Sequence, residues 1–170
     1  MILVTVGLHD RPFDRLVRAA DGMASLTQEP VIIQRGCTGY EPVHAAWFDA
    51  VPAGQMEALV AQARVVVSHT GAGSVLAAQR AGVPLVLVPR LRCWGESIDD
   101  HQQQLAAALA AQGRAFVLDD VSPLALYRAV IRARPGAEVS PGTALQQALR
   151  GWLDAVSPRA GPRWWIRHGE

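Results

Sequence analysis

The segment VVVSHTGAGSVLAAQRAGVPLVLVP, residues 65–89, constrains the fold more than any other part of the chain. An apolar β-branched run leads into a turn of small residues, then into the helix-forming SVLAAQRA, then into a second apolar run, PLVLVP. Strand, tight turn, helix and strand in so few residues make one βαβ crossover. Its glycines, Gly71 and Gly73, fall at the strand's carboxyl end, the end at which open α/β sheets bind ligands.

The same alternation runs along the chain. MILVTVG, VIIQRG, AAWFDAV, VVVSHT, PLVLVP and AFVLDD read as strands; PFDRLVRAADGMASL, MEALVAQA, SVLAAQRA, DDHQQQLAAALAAQG and SPLALYRAVIRAR read as helices between and after them. Pro12 suits a first helical turn, Asp99 or Asp100 a cap, Gly113 a helix end, and Ser122 with Pro123 a cap followed by a first helical position. Strands alternating with helices predict an α/β fold with a doubly wound, mostly parallel, Rossmann-like sheet over residues 1–135. In residues 136–170, TALQQALRGWLDAV reads as a further helix, with Leu145, Leu149, Trp152 and Leu153 at helical spacing, and SPRAGPRWWIRHGE as a tail.

Composition narrows the function. Sixteen Lys and Arg against 15 acidic residues leave no overall field for nucleic acid or an anionic membrane. Cys37 and Cys93 are too few for a disulfide framework, no Cys/His cluster has metal-ligand spacing, and a reducing compartment is expected. The short apolar start runs into HDRPFDR, unlike a signal peptide, and no run approaches the roughly 18 residues of a membrane span.

Three polar segments fall at the predicted carboxyl edge. In SHTGAGS, the first N–H groups of the helix from Ser74 have no intrahelical partner, and glycines let a phosphate approach them. The segment lacks the GK[ST] of a Walker loop, and Leu76 stands where a dinucleotide fingerprint has its third glycine. Gly71 and Gly73 serve either an anion or a tight turn. In VTVGLHDRPFDRL, Gly7 ends a strand, and His9 is an acid/base candidate or a solvated loop residue; His69 ends a strand and either faces a ligand or caps a helix. In VPRLRCWGESIDDHQQQLA, the residues Arg90, Arg92, Glu96, Asp99, Asp100, His101, Gln102 and Gln103 gather at one edge. Gln102 and Gln103 offer the mixed donors and acceptors that sugar hydroxyls need, or form an ordinary solvated helix start.

The order MILVTVG-H-PFDRL, VIIQRG, SHTGAGS, AGVPLVLVPR, GE-IDDHQ-QLA resembles the donor-binding domain of family 28 glycosyltransferases. It is most similar to the short stand-alone forms: the soluble subunit of the two-component N-acetylglucosaminyltransferase of dolichol-linked glycan synthesis, and PssE-like subunits of bacterial exopolysaccharide assembly. The resemblance implies the carboxyl-terminal half of a GT-B fold and transfer, with inversion, from a UDP-sugar to a polyprenyl-diphosphate-linked acceptor. It implies the UDP-sugar as substrate, no cofactor and no obligatory metal. By the same resemblance, Gly7, His69, Thr70, Gly71, Ala72, Gly73, Ser74, Arg90, Asp100, His101, Gln102 and Gln103 bind the donor. It also implies a membrane-associated, PssD-like acceptor subunit as partner, and a cytoplasmic place at the inner face of the membrane. The alternative is a nucleotide-sugar-binding module without transferase activity. Two positions depart from the family pattern: Leu8 stands where relatives usually have Thr, and Ala77 where they usually carry the Glu that binds the ribose hydroxyls. Gln79 is the first candidate to substitute for that carboxylate.

Overall fold

A computed structural model describes residues 1–134 of the chain. Among them, β1 (Ile2–Thr5), β2 (Val31–Gln34), β3 (Ala46–Phe48), β4 (Val65–Ser68), β5 (Leu85–Leu87) and β6 (Phe116–Val117) form one sheet in the order β3-β2-β1-β4-β5-β6. Each adjacent pair is parallel, and β1 lies at the centre with Leu3 beside Ile32 on one side and Val66 on the other. The helices are α1 (Asp14–Ala24), α2 (Ala53–Gln62), α3 (Ala72–Arg80), α4 (His101–Ala111) and α5 (Pro123–Arg132). The doubly wound α/β sheet expected from the alternation is the one observed, with β6 shorter than the AFVLDD run. The further helix and tail expected in residues 136–170 lie outside the described residues.

The central strands are apolar at successive positions because helices cover both faces of the sheet. Side chains alternate across a strand, so Ile2 and Val4 of β1 and Val65 and Val67 of β4 share one face with Leu16, Val17 and Met23 of α1 and Leu126 and Val130 of α5. The intervening Leu3, Val66, Leu85 and Leu87 are equally buried toward the other face, as are Val60, Val75, Ala78 and Leu109 of α2, α3 and α4. Gly113 (φ +65) closes α4 with a bond from the Arg114 N–H to the Leu109 carbonyl at 2.9 Å, and the Ser122 hydroxyl caps α5 by accepting from the Ala125 N–H at 3.2 Å.

One helix start differs from expectation, and another resolves between two candidates. Pro12 precedes α1, whose N-cap is Phe13. The carbonyl of Arg11 is held by the Arg90 guanidinium at 2.9 Å ahead of the helix. Asp100 occupies the N-cap of α4 without a side-chain cap bond; Asp99 accepts from the His101 N–H at 3.2 Å instead.

Asp21 sits on the buried face of α1 and is 1% exposed. Its carboxylate accepts from the N–H groups of Val43 (3.0 Å), His44 (2.7 Å) and Ala45 (3.1 Å) and from the Tyr40 hydroxyl (2.7 Å), pinning the chain that enters β3. Burial pushes its pKa up, but these donors outweigh burial and hold it below the ordinary 3.8. With the folded pKa depressed, this stabilisation is present above the ordinary carboxyl range and is lost as pH falls through the lower folded value. Asp21→Asn, whose amide nitrogen cannot accept, is expected to lower stability at pH 7 by about 2 kcal/mol. The difference from wild type should shrink in acid; a urea midpoint equal to wild type at pH 7 would refute this role.

Candidate functional site

The chain moves outward from β1 through β2 to β3 and then returns to place β4 on the other side of β1, so the sheet reverses its winding between β1 and β4. Loops leaving the carboxyl ends of these two strands diverge, and the crevice between them is where doubly wound sheets bind ligands. A cavity of about 390 Å³ opens at this place. Gly7 and Leu8 reach it from β1, Gln34 from β2, Met56, Glu57 and Val60 from α2, and His69, Gly71, Gly73, Ser74 and Ala77 from β4 and α3.

Its floor is a buried polar pair on β1 and β2. The Thr5 hydroxyl bonds the Gln34 side-chain carbonyl, the Gln34 amide donates to the Gly7 carbonyl at 3.2 Å, and the Gly7 N–H donates to the Thr5 hydroxyl at 3.3 Å. The Gly7 turn is therefore fixed by the strand beside it. Between Gly7 and Gly71 lies the His69 ring. A Cβ on Gly7 would fall 2.5 Å from its Cε1, and one on Gly71 would fall 2.1 Å from its Nε2; Gly7 also has φ +74. These two glycines are required by the imidazole they enclose. Burial, and secondarily the Arg90 charge, push the His69 pKa down to about 4 against an opposing bond to the Thr5 main chain, so the ring is neutral at pH 7.

Gly73 is different. A Cβ there would meet nothing within 4 Å, so the space in front of the second residue of α3 is open. The N-cap of α3, Gly71, brings no side-chain bond to the helix start. The first N–H groups thus face the crevice with the partial positive charge of a helix N-terminus. Ala72 opens the helix and Ser74 lines the cavity. Thr70 is 1% exposed, and its hydroxyl has no hydrogen-bond partner among the described residues.

His9 lies on the loop after Gly7. Its Nδ1 is 3.1 Å from the Arg11 N–H and 2.9 Å from an Asp10 carboxylate oxygen. Burial, with the Arg90 charge next, lowers its pKa against the opposing Asp10 charge.

The third polar segment does not join this cavity. Arg90 is 1% exposed, stacks on the Phe13 ring at 4.6 Å, and donates to the carbonyls of Val6 (2.8 Å), Arg11 (2.9 Å) and Glu96 (3.2 Å). The guanidinium expected to contact the donor is instead spent tying the loops after β1 and β5 together from inside. Glu96, likewise buried, takes a bidentate pair from Arg15 at 3.0 and 2.9 Å and the Leu91 N–H at 3.0 Å. The Gln102 side-chain carbonyl accepts the Arg90 N–H at 3.0 Å. Gln103 lines a separate cavity of about 490 Å³ with Arg15, Leu91 and Leu118. Asp100 and His101 line neither, and His101 Nδ1 lies 2.6 Å from Asp99.

Sequence reasoning missed Glu57, the lone ionisable residue of α2. It missed the Thr5–Gln34 floor too, whose signal is a polar residue closing each of two otherwise apolar strands. Gln79, singled out beside Ala77, does not line the cavity, and its amide nitrogen is buried.

Residues 1–136 match the family described as glycosyltransferase family 28 C-terminal domain, as the order of motifs implied. The chain is 29% identical over 156 residues to the UDP-N-acetylglucosamine–N-acetylmuramyl-(pentapeptide) pyrophosphoryl-undecaprenol N-acetylglucosamine transferase of Synechococcus sp. (strain RCC307), across 85% of this chain and 38% of that protein. It is 40% identical over 74 residues to the UDP-N-acetylglucosamine transferase subunit ALG13 of Eremothecium gossypii, across 42% of this chain and 34% of that protein. The matched regions thus span little more than a third of these relatives. Among solved structures, CalG4, the calicheamicin glycosyltransferase, shares the fold with a TM-score of 0.63 at 23% identity, covering 92% of this chain and 44% of that one. The expected architecture, one Rossmann-like half of a GT-B transferase, is borne out.

Proposed function

The chain belongs to the glycosyltransferase family 28 C-terminal domains, and from that premise we propose that it binds a UDP-sugar for transfer to a polyprenyl-diphosphate-linked acceptor. The observation that carries this reading is the open space at Gly73, where an uncapped helix start meets the crevice between β1 and β4. The diphosphate rests on the N–H groups of Ala72, Gly73 and Ser74, and the uracil and ribose enter the cavity beside Met56 and Val60. Neutral His69 forms a wall there without repelling or protonating the donor.

The acceptor half comes from a membrane-associated, PssD-like partner, as in exopolysaccharide assembly. What supports the reading is that Leu8, Trp94 and Ile98 are 77%, 68% and 69% exposed on loops of the carboxyl edge. Apolar side chains exposed there suit contact with a second domain. The protein then works on the cytoplasmic side, held peripherally through its partner.

Calorimetric titration of the full chain with UDP and a panel of UDP-sugars tests the donor site. UDP and one UDP-sugar are expected to bind and GDP not to. The isolated chain is expected to transfer no sugar to a polyprenyl-diphosphate acceptor, and co-expression with the partner to start transfer. Absence of UDP binding at millimolar concentration would reject the donor site, and transfer by the isolated chain would reject the need for a partner.

A further inference from the structure

The crevice cavity is apolar where Val51, just ahead of α2, and Met56 and Val60 of α2 line it, and it carries one carboxylate, Glu57. Glu57 also lines a neighbouring cavity of about 470 Å³, and Gly73 and Ala77 of α3 line both. The two spaces therefore meet where α2 presents Glu57 opposite Gly73 and Ala77, two of the small positions of α3. Arg80, the cation of the second cavity, makes no ion pair with Glu57 within 4.0 Å, and no hydrogen bond or ion pair engages the Glu57 carboxylate among the described residues.

An exposed carboxylate directed at an anion site weakens anion binding through like-charge repulsion unless the ligand also offers it donors. A nucleoside diphosphate does so. Its base suits the apolar wall, its phosphates suit the helix start at Gly73, and between the two lies a ribose with vicinal hydroxyls that donate to a carboxylate. Resting on the donor-site reading above, we infer that Glu57 holds the ribose diol and makes the site selective for ribonucleotides over deoxyribonucleotides. Hydrogen bonds to a charged acceptor are the stronger kind, and a pair to one carboxylate adds geometric selection. Ala77, having no side chain beyond its Cβ, leaves the approach from α3 open.

The test measures the affinities of UDP and 2′-deoxy-UDP for wild type and Glu57→Gln in the full chain. Wild type is expected to prefer UDP by roughly tenfold, about 1.4 kcal/mol. Glu57→Gln is expected to lose most of that preference, weakening UDP, which donates through two hydroxyls, more than 2′-deoxy-UDP, which has only the 3′-hydroxyl to donate. Glu57 is exposed, so its isosteric amide leaves the fold intact. A preference for UDP that survives Glu57→Gln would overturn the inference and leave the donor site standing. So would tighter binding of both nucleotides, which would show that Glu57 only repels phosphate. Failure of wild type to bind either nucleotide would overturn the donor-site reading and this inference together.

Discussion

Gly73→Val is expected to weaken UDP binding by at least about 100-fold, roughly 2.7 kcal/mol, while the domain keeps its fold. The two halves of that expectation rest on one fact: apart from its chain neighbours and its own helix backbone, a Cβ at this position meets no protein atom within 4 Å. Position 73 lies inside α3 and has no positive φ, so valine suits the backbone there and replaces a residue that disfavours helix. What its methyls occupy is the approach to the helix start, where a phosphate must come within hydrogen-bond distance of main-chain N–H groups. The neighbouring glycine gives the contrast. Gly71→Ala drives a Cβ to 2.1 Å from the His69 ring, so it should lower the melting temperature as well as affinity. Gly73→Val should separate the two effects. Wild-type affinity in this variant, measured by calorimetry with an unchanged melting curve, would place the phosphate elsewhere.

This contrast also shows what a sequence can and cannot disclose. The strand-turn-helix order around SHTGAGS is a local pattern, set by β-branched runs, small residues and helix formers within a few positions of one another, and it was legible. So was the convergence of the β1 and β4 loops, because parallel strands place all their carboxyl ends at one edge. The reason for each glycine was not local. Gly7 and Gly71 are 64 residues apart in sequence, yet one imidazole from a third position demands both. Glu57 reads in the sequence as one solvated charge on a helix; only the packing of α2 against α3 brings it beside Gly73 and Ala77. Arg90 shows the opposite failure. An arginine just beyond a strand in a polar loop suggests a ligand contact by composition, but its role depends on which carbonyls surround it, and these come from residues up to 84 positions away.

Arg90→Met is expected to be the most destabilising of the substitutions considered, by about 3 kcal/mol or more, lowering the melting temperature by about 10 °C. The guanidinium is enclosed and donates to carbonyls of Val6, Arg11 and Glu96, which belong to the loops after β1 and β5. Methionine can fill much of the volume against Phe13, so the loss is chiefly that of buried acceptors left without donors, each costing about 1–3 kcal/mol before relaxation. Lysine is expected to rescue little, since one ammonium cannot span the planar fork that serves both loops. A second readout separates this role from simple packing. The Arg90 charge is the second cause, after burial, of the low His69 pKa. Its removal should move the imidazole titration upward from about 4, short of the ordinary 6.5 because burial remains. With the folded pKa depressed, His69 stabilises the fold fully above 6.5, and that contribution is lost as pH falls toward 4. Raising its pKa therefore makes the variant less sensitive to acid over this window, even as it becomes less stable at neutral pH. An Arg90→Met protein that melts within about 2 °C of wild type, with His69 titrating unchanged by NMR, would mean that the guanidinium does not bind these loops together.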